Sequence, residues 1–402
     1  MISVREAWTI LASSIRPLPA INLPLDDCLG YVLAAPALAD TDQPPFDRSS
    51  IDGFACRLGA EEETFRVVGE ILPGSPPPPL IAPGEAWRVF TGSALPPGTA
   101  LVMVEDVLDQ GQTVQFRIQP DPRLVRVRGS TARAGDCLLP SDTPLGPGEL
   151  ALLASAGIVD PWVIPKPRVL HITTGREIVP PSVQPQPGQI RNTNRVLIHH
   201  LLTLAGAGPL PGCHVDEAVE SLVAAVQAAP AHDVLLVSGG SSVGAHDRTP
   251  EALKALGYDL RIRAVAVRPG KPLLFAVRGE QIAFGLPGNP VSHLATFHLF
   301  VRPALRRLAG LPPIAPFQAR LKTGAPLRPD RRETFWPCSL GWDDCSLTAC
   351  PRPWLDSGDL TALAQVDGLL RLPSDQAVPK EGDTVEVIPA RPIELWHGAK
   401  LG

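Results

Sequence analysis

"DVLLVSGGSSVGAHDRTPEALKALG", residues 233–257, is the stretch on which the fold turns. Its apolar run, Val234 to Val237, leads into a glycine- and serine-rich loop and then a helical pattern, with Thr249 as N-cap and Pro250 at the first helical position. A strand apolar at every position, rather than at every second one, is buried on both faces, as in a parallel sheet covered by helices. The loop admits two chemistries. It is either a backbone cradle for phosphate or a turn that exposes a nucleophilic serine.

The neighbouring segments continue the alternation. "RVLHITTG" reads as a strand into a turn, "NRVLIHHLLTLAG" and "DEAVESLVAAVQAA" as helices, and "RIRAVAV", "LLFAV" and "QIAFGL" as strands. "LPGNPVSHLATFHLFVRPALRRLAG" reads as a long helix with Asn289 as cap, Pro290 in its first turn and a kink at Pro303. Residues 166–310 are therefore expected to form an α/β domain. Short alternating runs broken by Pro and Gly turns mark residues 45–128 as a β-rich module, and short strands return after Gly310. "SVREAWTILASSI", residues 3–15, reads as an amphipathic helix with a Ser3/Glu6 capping box.

Composition bounds the class. With 402 residues, 44% hydrophobic and 19% charged, the chain has the make-up of several folded domains rather than a disordered segment. Its 47 prolines are spread widely and imply extended segments and fixed turns. A formal charge of −5 without a basic stripe gives no electrostatic case for nucleic acid. No run approaches the roughly 20 apolar residues that span a bilayer, and the N-terminus lacks signal-peptide order, so no membrane partner and a cytoplasmic location are expected. Seven cysteines without a C-x-x-C read as buried or idle thiols; Cys338, Cys345 and Cys350 form the closest set for the lesser zinc reading.

Ligands of open α/β sheets bind beyond the carboxyl ends of the strands. Three loops leave such ends here: "TTGRE", "SGGSSVGAHDRT" and "LPGNPVS". Each carries glycine for close backbone approach and hydroxyls or amides that donate hydrogen bonds, and the "NPVS" helix start favours an anion. "VRPGKP", residues 267–272, adds Arg268 and Lys271 as oxyanion clamps. One such loop alone is ordinary turn chemistry; the conjunction describes an anion pocket. The rival is Gly240-Ser241-Ser242-Val243-Gly244, a match to G-x-S-x-G with Asp247 and His293 as nominees for acid and base. A nucleophile elbow needs a sharp strand-to-helix turn, whereas five residues separate Gly244 from Pro250. Asp247 is either a Mg²⁺ ligand or a turn aspartate, and the residues alone leave both open. A second constellation, "DQPPFDRSSIDGFAC" at 42–56, is a long irregular segment holding Asp42, Asp47 and Asp52; a functional loop and a Pro-stiffened linker are both compatible with it.

In chain order, "PPFDRSSIDGFA", "FTGSALP", "VMVED", "TTGREI", "QIRNTNR", "SGGSSVGAHD", "RPGKP" and "LPGNPVS" resemble the molybdopterin molybdenumtransferase family, the MoeA-like proteins and the gephyrin E domain. The resemblance implies an α/β multidomain protein: a discontinuous domain at 1–44 and 130–165, an inserted β-rich domain at 45–129, a MoaB/MogA-like molybdopterin-binding α/β domain at 166–310, and a C-terminal β-barrel at 311–402. It implies insertion of molybdenum from molybdate into adenylylated molybdopterin with release of AMP, aided by Mg²⁺ or another divalent metal. Homodimers with the active site between subunits are implied, as are transient contacts with a molybdopterin adenylyltransferase or apo-molybdoenzymes.

Carried over position by position, Asp52, Glu105, Asp247 and Lys271 take catalytic roles, with Asp247 the metal ligand. Thr91, Glu177, Asn192, Ser238, Gly239, Gly240, Ser242, Gly244, Arg268, Pro287, Gly288, Asn289, Pro290 and Ser292 take substrate-binding roles. Three departures accompany the match: Arg176 where the family has aspartate, Asn192 where it has an acid, and Ser130 with Thr131 where it has an acidic pair. Because Asn and Arg do not replace a carboxylate ligand, a catalytically altered paralogue that binds or carries molybdopterin is the alternative function.

Overall fold

The structure, a computed structural model, describes residues 1–239, 248–343, 346–374 and 376–396. The chain divides into two compact units, Asn22–Leu29 with Leu33–Val163, and Met1–Ile21 with Gly30–Val32 and Ile164–Gly402.

The first unit is built on a six-stranded sheet of β1 (Gly53–Arg57), β2 (Thr64–Ile71), β3 (Glu85–Val89), β4 (Thr99–Met103), β5 (Val107–Asp109) and β6 (Thr113–Phe116), in the order β4-β1-β3-β2-β6-β5. Both faces of β1 are buried. Phe54 and Cys56 join Phe65, Val102, Val114 and Phe116 on one side, and Ala55 joins Ile71, Val89 and Leu101 on the other. Gly53 starts β1 because a Cβ there would sit 2.0 Å from the Val102 carbonyl oxygen; only hydrogen fits beneath the neighbouring strand.

The second unit opens with α1 (Val4–Ser14), whose Ser3 and Glu6 form the expected capping box. Its α/β sheet contains β7 (Arg168–Thr174), β8 (Cys213–Val215), β9 (Val234–Ser238), β10 (Asp259–Ile262), β11 (Leu274–Arg278) and β12 (Gln281–Leu286). The order β7-β9-β12-β11-β10 is parallel across its first three strands, β8 also pairing parallel with β7; β11 and β10 run antiparallel. The helices α2 (Thr193–Leu204), α3 (Val219–Ala228) and α4 (Thr249–Ala255) cover it. Side-chain alternation explains the unbroken apolar run of β9. Val234 and Leu236 pack towards α1 and α2, while Leu235 and Val237 pack against Leu222, Val226 and Leu253 of α3 and α4.

Two local expectations shift. Thr249 lies inside α4 and Arg248 is the cap residue, a one-residue displacement of the kind that frayed helix ends produce. The long final helix is three segments: α5 (Pro290–Thr296), a π-helical turn (Phe297–Val301) and α6 (Arg302–Leu308), so the irregularity falls just before Pro303. Beyond it, β13 (Phe317–Leu321), β14 (Glu333–Asp343), β15 (Ser346–Pro351), β16 (Gly368–Leu372) and β17 (Thr384–Pro389) close a barrel in the order β14-β15-β13-β17-β16, with β16 returning to β14. Among the described residues, no helix is long and apolar enough to cross a membrane.

Register sets the three sheet loops level. Thr173 pairs with Ser238 and Ser238 with Leu286, so β7, β9 and β12 end side by side. Gly239 turns the chain out of β9 with φ +105°, and a Cβ there would lie 2.4 Å from the Thr174 carbonyl oxygen. Gly239→Ala is therefore expected to lower stability by roughly 2–4 kcal/mol. Gly288→Ala, with nothing within 4 Å of its Cβ, should stay within about 0.5 kcal/mol of the parent. Urea unfolding of the pair checks both.

Candidate active site

At the carboxyl ends of β7, β9 and β12 the polar side chains are tied into one network. Ser238, the last residue of β9, is 2% exposed, and its Oγ lies 2.7 Å from His171 Nε2 and 2.7 Å from His293 Nε2. His293 Nδ1 lies 3.3 Å from the Asn289 carbonyl oxygen. Asn194 donates through Nδ2 to the Gly288 carbonyl at 2.6 Å, and Asn289 donates through Nδ2 to Ser357 Oγ at 2.5 Å. The "LPGNP" turn is thus held from β9, from the start of α2 and from the loop before the last strands of the barrel. Asn289 occupies the backbone cap position of α5, but its amide reaches Ser357 instead of capping the helix, and Val291 N–H donates to the Ser357 carbonyl.

Asn192 is buried, and its two amide atoms have separate duties. Oδ1 accepts from Arg195 N–H as the N-cap of α2, and Nδ2 donates to Thr173 Oγ1 at 2.8 Å. Thr173 Oγ1 in turn lies 3.1 Å from His214 Nδ1. A carboxylate could take the cap bond but has no proton to give Thr173. Thr173 could instead donate to a carboxylate, so what asparagine sets at this departure from the family pattern is the direction of that bond. Arg176 and Glu177 are exposed beside it, and the Arg176 charge contributes to holding the Asp216 carboxyl below the usual range, after hydrogen bonds from Ser221 and the Ala218 amide.

Arg268 does not stand alone. It pairs with Asp330 at 3.1 Å and lies over the Trp354 ring at 5.2 Å, while Arg332 pairs with the same carboxylate. Burial pushes the Asp330 carboxyl up, but the Arg332 hydrogen bonds and the two cations outweigh it and leave the group below its ordinary value. Two guanidiniums on one carboxylate keep a net positive charge at this edge. Lys271 is exposed, with no ion pair among the described residues; Pro287 and Ser292 are buried, Gly288 is exposed and Pro290 is half-buried. Gly240, Ser242, Gly244 and Asp247 lie outside the described residues.

A second group gathers in the other unit. Asp52 Oδ1 accepts from the Thr91 amide at 2.7 Å and from its hydroxyl at 3.0 Å, and Val104 N–H donates to the Asp52 carbonyl, which brings Glu105 to the same corner. Asp42 accepts from the Ala134 amide and pairs with Arg128, which together hold its carboxyl below the ordinary range. Thr131 is exposed, its N–H donating to the Gln43 carbonyl. Among the described residues no three His, Cys, Asp or Glu side chains cluster as metal ligands.

His171, Asn194 and Ser357 are the site's contributors that motif reading passed over, and His293 was nominated only for a different role, as the base of the serine-nucleophile reading. His171 and His293 carried a signal, since each is a polar residue in an apolar run and must be paired when buried. Ser357 carried none, because only the tertiary fold brings it to Asn289.

Matches to known proteins cover nearly the whole chain. Residues 2–157 match the MoeA N-terminal region (domain I and II), 171–307 a probable molybdopterin binding domain, and 318–390 the MoeA C-terminal region (domain IV). A molybdopterin molybdenumtransferase of Nostoc sp. is 34% identical over 375 residues, spanning 89% of this chain and 86% of that protein. One from Staphylococcus aureus strain Mu50 is 30% identical over 401 residues, spanning 96% and 95%. The crystal structure of the molybdopterin biosynthesis moea protein from Pyrococcus horikosii superposes with a TM-score of 0.80 at 29% identity, covering 98% of this chain and 100% of that one.

Burial pushes the imidazoles down, to about 3 for His171, about 4 for His293 and about 3 for His298, from the ordinary 6.5; the like charges of His293 and Arg195 add to the shift at His171. The unfolded chain protonates these groups near pH 6.5, while the folded chain resists until far lower pH, so unfolding takes up as many as three protons in that window. Their contribution is expected to be flat above about pH 7 and to fall as pH drops through about 6, by about 1.4 kcal/mol per pH unit for each fully protonated unfolded imidazole. Unfolding free energies at about pH 7.5, 6 and 5 check the sign.

Proposed function

The chain belongs to the MoeA family of molybdopterin molybdenumtransferases, and from that premise we propose that it inserts molybdenum from molybdate into the dithiolene of adenylylated molybdopterin, releasing AMP. It is a transferase of molybdenum cofactor biosynthesis; relatives of that name align along nearly its full length, and the altered paralogue is not favoured.

The observation that carries the reading is the level array of polar loops at the ends of β7, β9 and β12, built from Gly239, Gly288, Asn194 and Asn289 beside the cationic Arg268–Asp330–Arg332 edge and Lys271. Backbone amides at a glycine corner approach phosphate oxygens closely, and cations favour both the phosphates and the molybdate dianion. In this reading Lys271 and the loop containing Gly239, Gly240, Ser242 and Gly244 bind the phosphates. Arg268 and Ser292 face the oxyanion, with its net charge supplied through the arginine pair. Asp52, oriented by two hydrogen bonds from Thr91, and Glu105 are the proposed proton carriers of the reaction. Catalysis is then mainly positioning and electrostatic stabilisation, the usual balance in phosphate chemistry.

A divalent cation such as Mg²⁺ takes one or two carboxylates and completes its shell with ligand phosphates and water. The described residues supply single carboxylates of the right chemistry and no preformed cluster, so Asp247 and the nucleotide's own phosphates are the proposed remainder of that shell, and no step above is routed through the metal. The four-part division at 1–44 with 130–165, 45–129, 166–310 and 311–402, a cytoplasmic homodimer with a shared site, and transient exchange with an adenylyltransferase or an apo-molybdoenzyme belong to the same proposal.

Purified protein incubated with adenylylated molybdopterin and molybdate is expected to release AMP and incorporate molybdenum in equal amounts. Asp52→Asn and Lys271→Ala should each lower kcat/KM by about tenfold or more, equivalent to about 1.4 kcal/mol or more of transition-state stabilisation. Tight pterin binding without AMP release would overturn the reading, and esterase activity blocked by a serine-directed reagent would restore the hydrolase.

A further inference from the structure

Ser238 has one proton and two imidazole neighbours, so the direction of its hydrogen bonds is constrained. The constraint comes from the far end. His293 Nδ1 faces the Asn289 carbonyl, which can only accept; a neutral His293 therefore carries its proton on Nδ1 and presents a bare Nε2. That Nε2 takes the Ser238 proton, and the Ser238 oxygen is left to accept from His171 Nε2–H. The bonds run one way, from His171 on β7 through Ser238 on β9 and His293 on α5 to the Asn289 carbonyl. All three side chains are almost wholly enclosed, at 6%, 2% and 0% exposure. Arg195 is the charged group that acts on His171, and no charged side chain is among the influences on His293.

We propose that His171 and His293 are positioning residues for the substrate loops, and that their directed hydrogen-bond chain fixes the Ser238–Gly239 corner against the Asn289–Pro290 turn. This rests on the function proposed above, since it concerns the same site. The chain spans the sheet between the two loops. One loop departs from Ser238, in the middle of the chain, and the other begins at Asn289, its far end, so breaking the link through His293 frees one loop relative to the other, while His171 steadies Ser238 from β7. Ser238 then acts from inside: its hydroxyl is used by the two imidazoles, and the corner it anchors is what meets the ligand.

Two measurements test the inference, and the first is independent of activity. Nitrogen-15 spectra of histidine-labelled protein are expected to show His293 as the Nδ1–H tautomer and His171 as the Nε2–H tautomer at neutral pH; in Ser238→Ala the His171 assignment is lost while His293, held by the Asn289 carbonyl, keeps its own. Either imidazole in the opposite tautomer overturns the directed chain. The second is steady-state AMP release. His293→Ala should raise KM for adenylylated molybdopterin by about tenfold with kcat within about threefold, the pattern of lost binding rather than lost chemistry. His293→Gln, which restores an acceptor for Ser238, should recover part of that KM.

Because a lone substitution leaves buried partners unsatisfied and can unfold the protein, the triple variant His171→Phe, Ser238→Ala, His293→Leu removes the polar set together. Folded triple variant with KM raised about tenfold supports the role, and folded triple variant with parental KM overturns it. If the parent protein releases no AMP, the function proposed above fails by itself. The same KM comparison is then replaced by the dissociation constant of adenylylated molybdopterin, with the same expected rise and the same overturning result.

Discussion

Because β9 is buried on both faces, nothing beyond its last apolar residue can stay in the sheet unless its polar atoms are satisfied from within. Ser238 meets that demand with two imidazoles, and Gly239 then leaves the sheet through a backbone conformation open to glycine. The rest of the site follows from where this corner falls. The ladder places Ser238 beside Thr173 and Leu286, so the loops after β7 and β12 emerge at the same level. Slipping the ladder by one residue would invert every apolar side chain of β9 between its two cores, which makes the alignment of the loops a consequence of core packing.

Charge at the site is local and runs against the molecule as a whole. A net charge of −5 disfavours an anionic ligand at long range, so attraction has to be built at short range, where screening and distance matter least. In the proposed site the pairing of Arg268 and Arg332 on the single Asp330 carboxylate would do this while keeping both guanidiniums oriented. An unpaired arginine there would carry more charge but a looser geometry, and a bidentate fork helps an oxyanion only when it is held still. The departures at Arg176 and Asn192 make the β7 side less acidic. At Asn192 the amide caps its helix and also donates to Thr173.

Much of this was legible in the chain itself. The run Val234–Val237 specified a doubly covered strand, Ser3 and Glu6 specified the first helix, and the glycine loops after three strands marked the sheet edge at which the proposed ligand site lies. The family pattern also brought Asp52, Thr91 and Glu105 together, which periodicity alone could not. What stayed hidden depended on tertiary partners. Asn289 reads as a helix cap, yet its amide is diverted to Ser357, about seventy residues later, by the docking of the barrel's approach loop. Arg268 reads as a free oxyanion clamp because nothing near it in sequence announces Asp330. His293 reads as a nominee for a serine hydrolase base until its Nε2 is found occupied by a different serine.

The histidines carry the argument one step further. A buried polar chain could have been assembled from amides or hydroxyls, which do not titrate, and both imidazoles here are kept neutral by the same burial that makes their hydrogen bonds strong. Neutrality is also what gives the chain a direction. A protonated His293 would present donors at both nitrogens, so Ser238 could no longer give its proton in that direction and would have to reverse towards His171, whose Nε2 already holds one. The Asn289 carbonyl, by being unable to donate, therefore sets the proton on every atom back to β7. Part of the stability towards acid and the placing of the two loops are in this way properties of the same four residues.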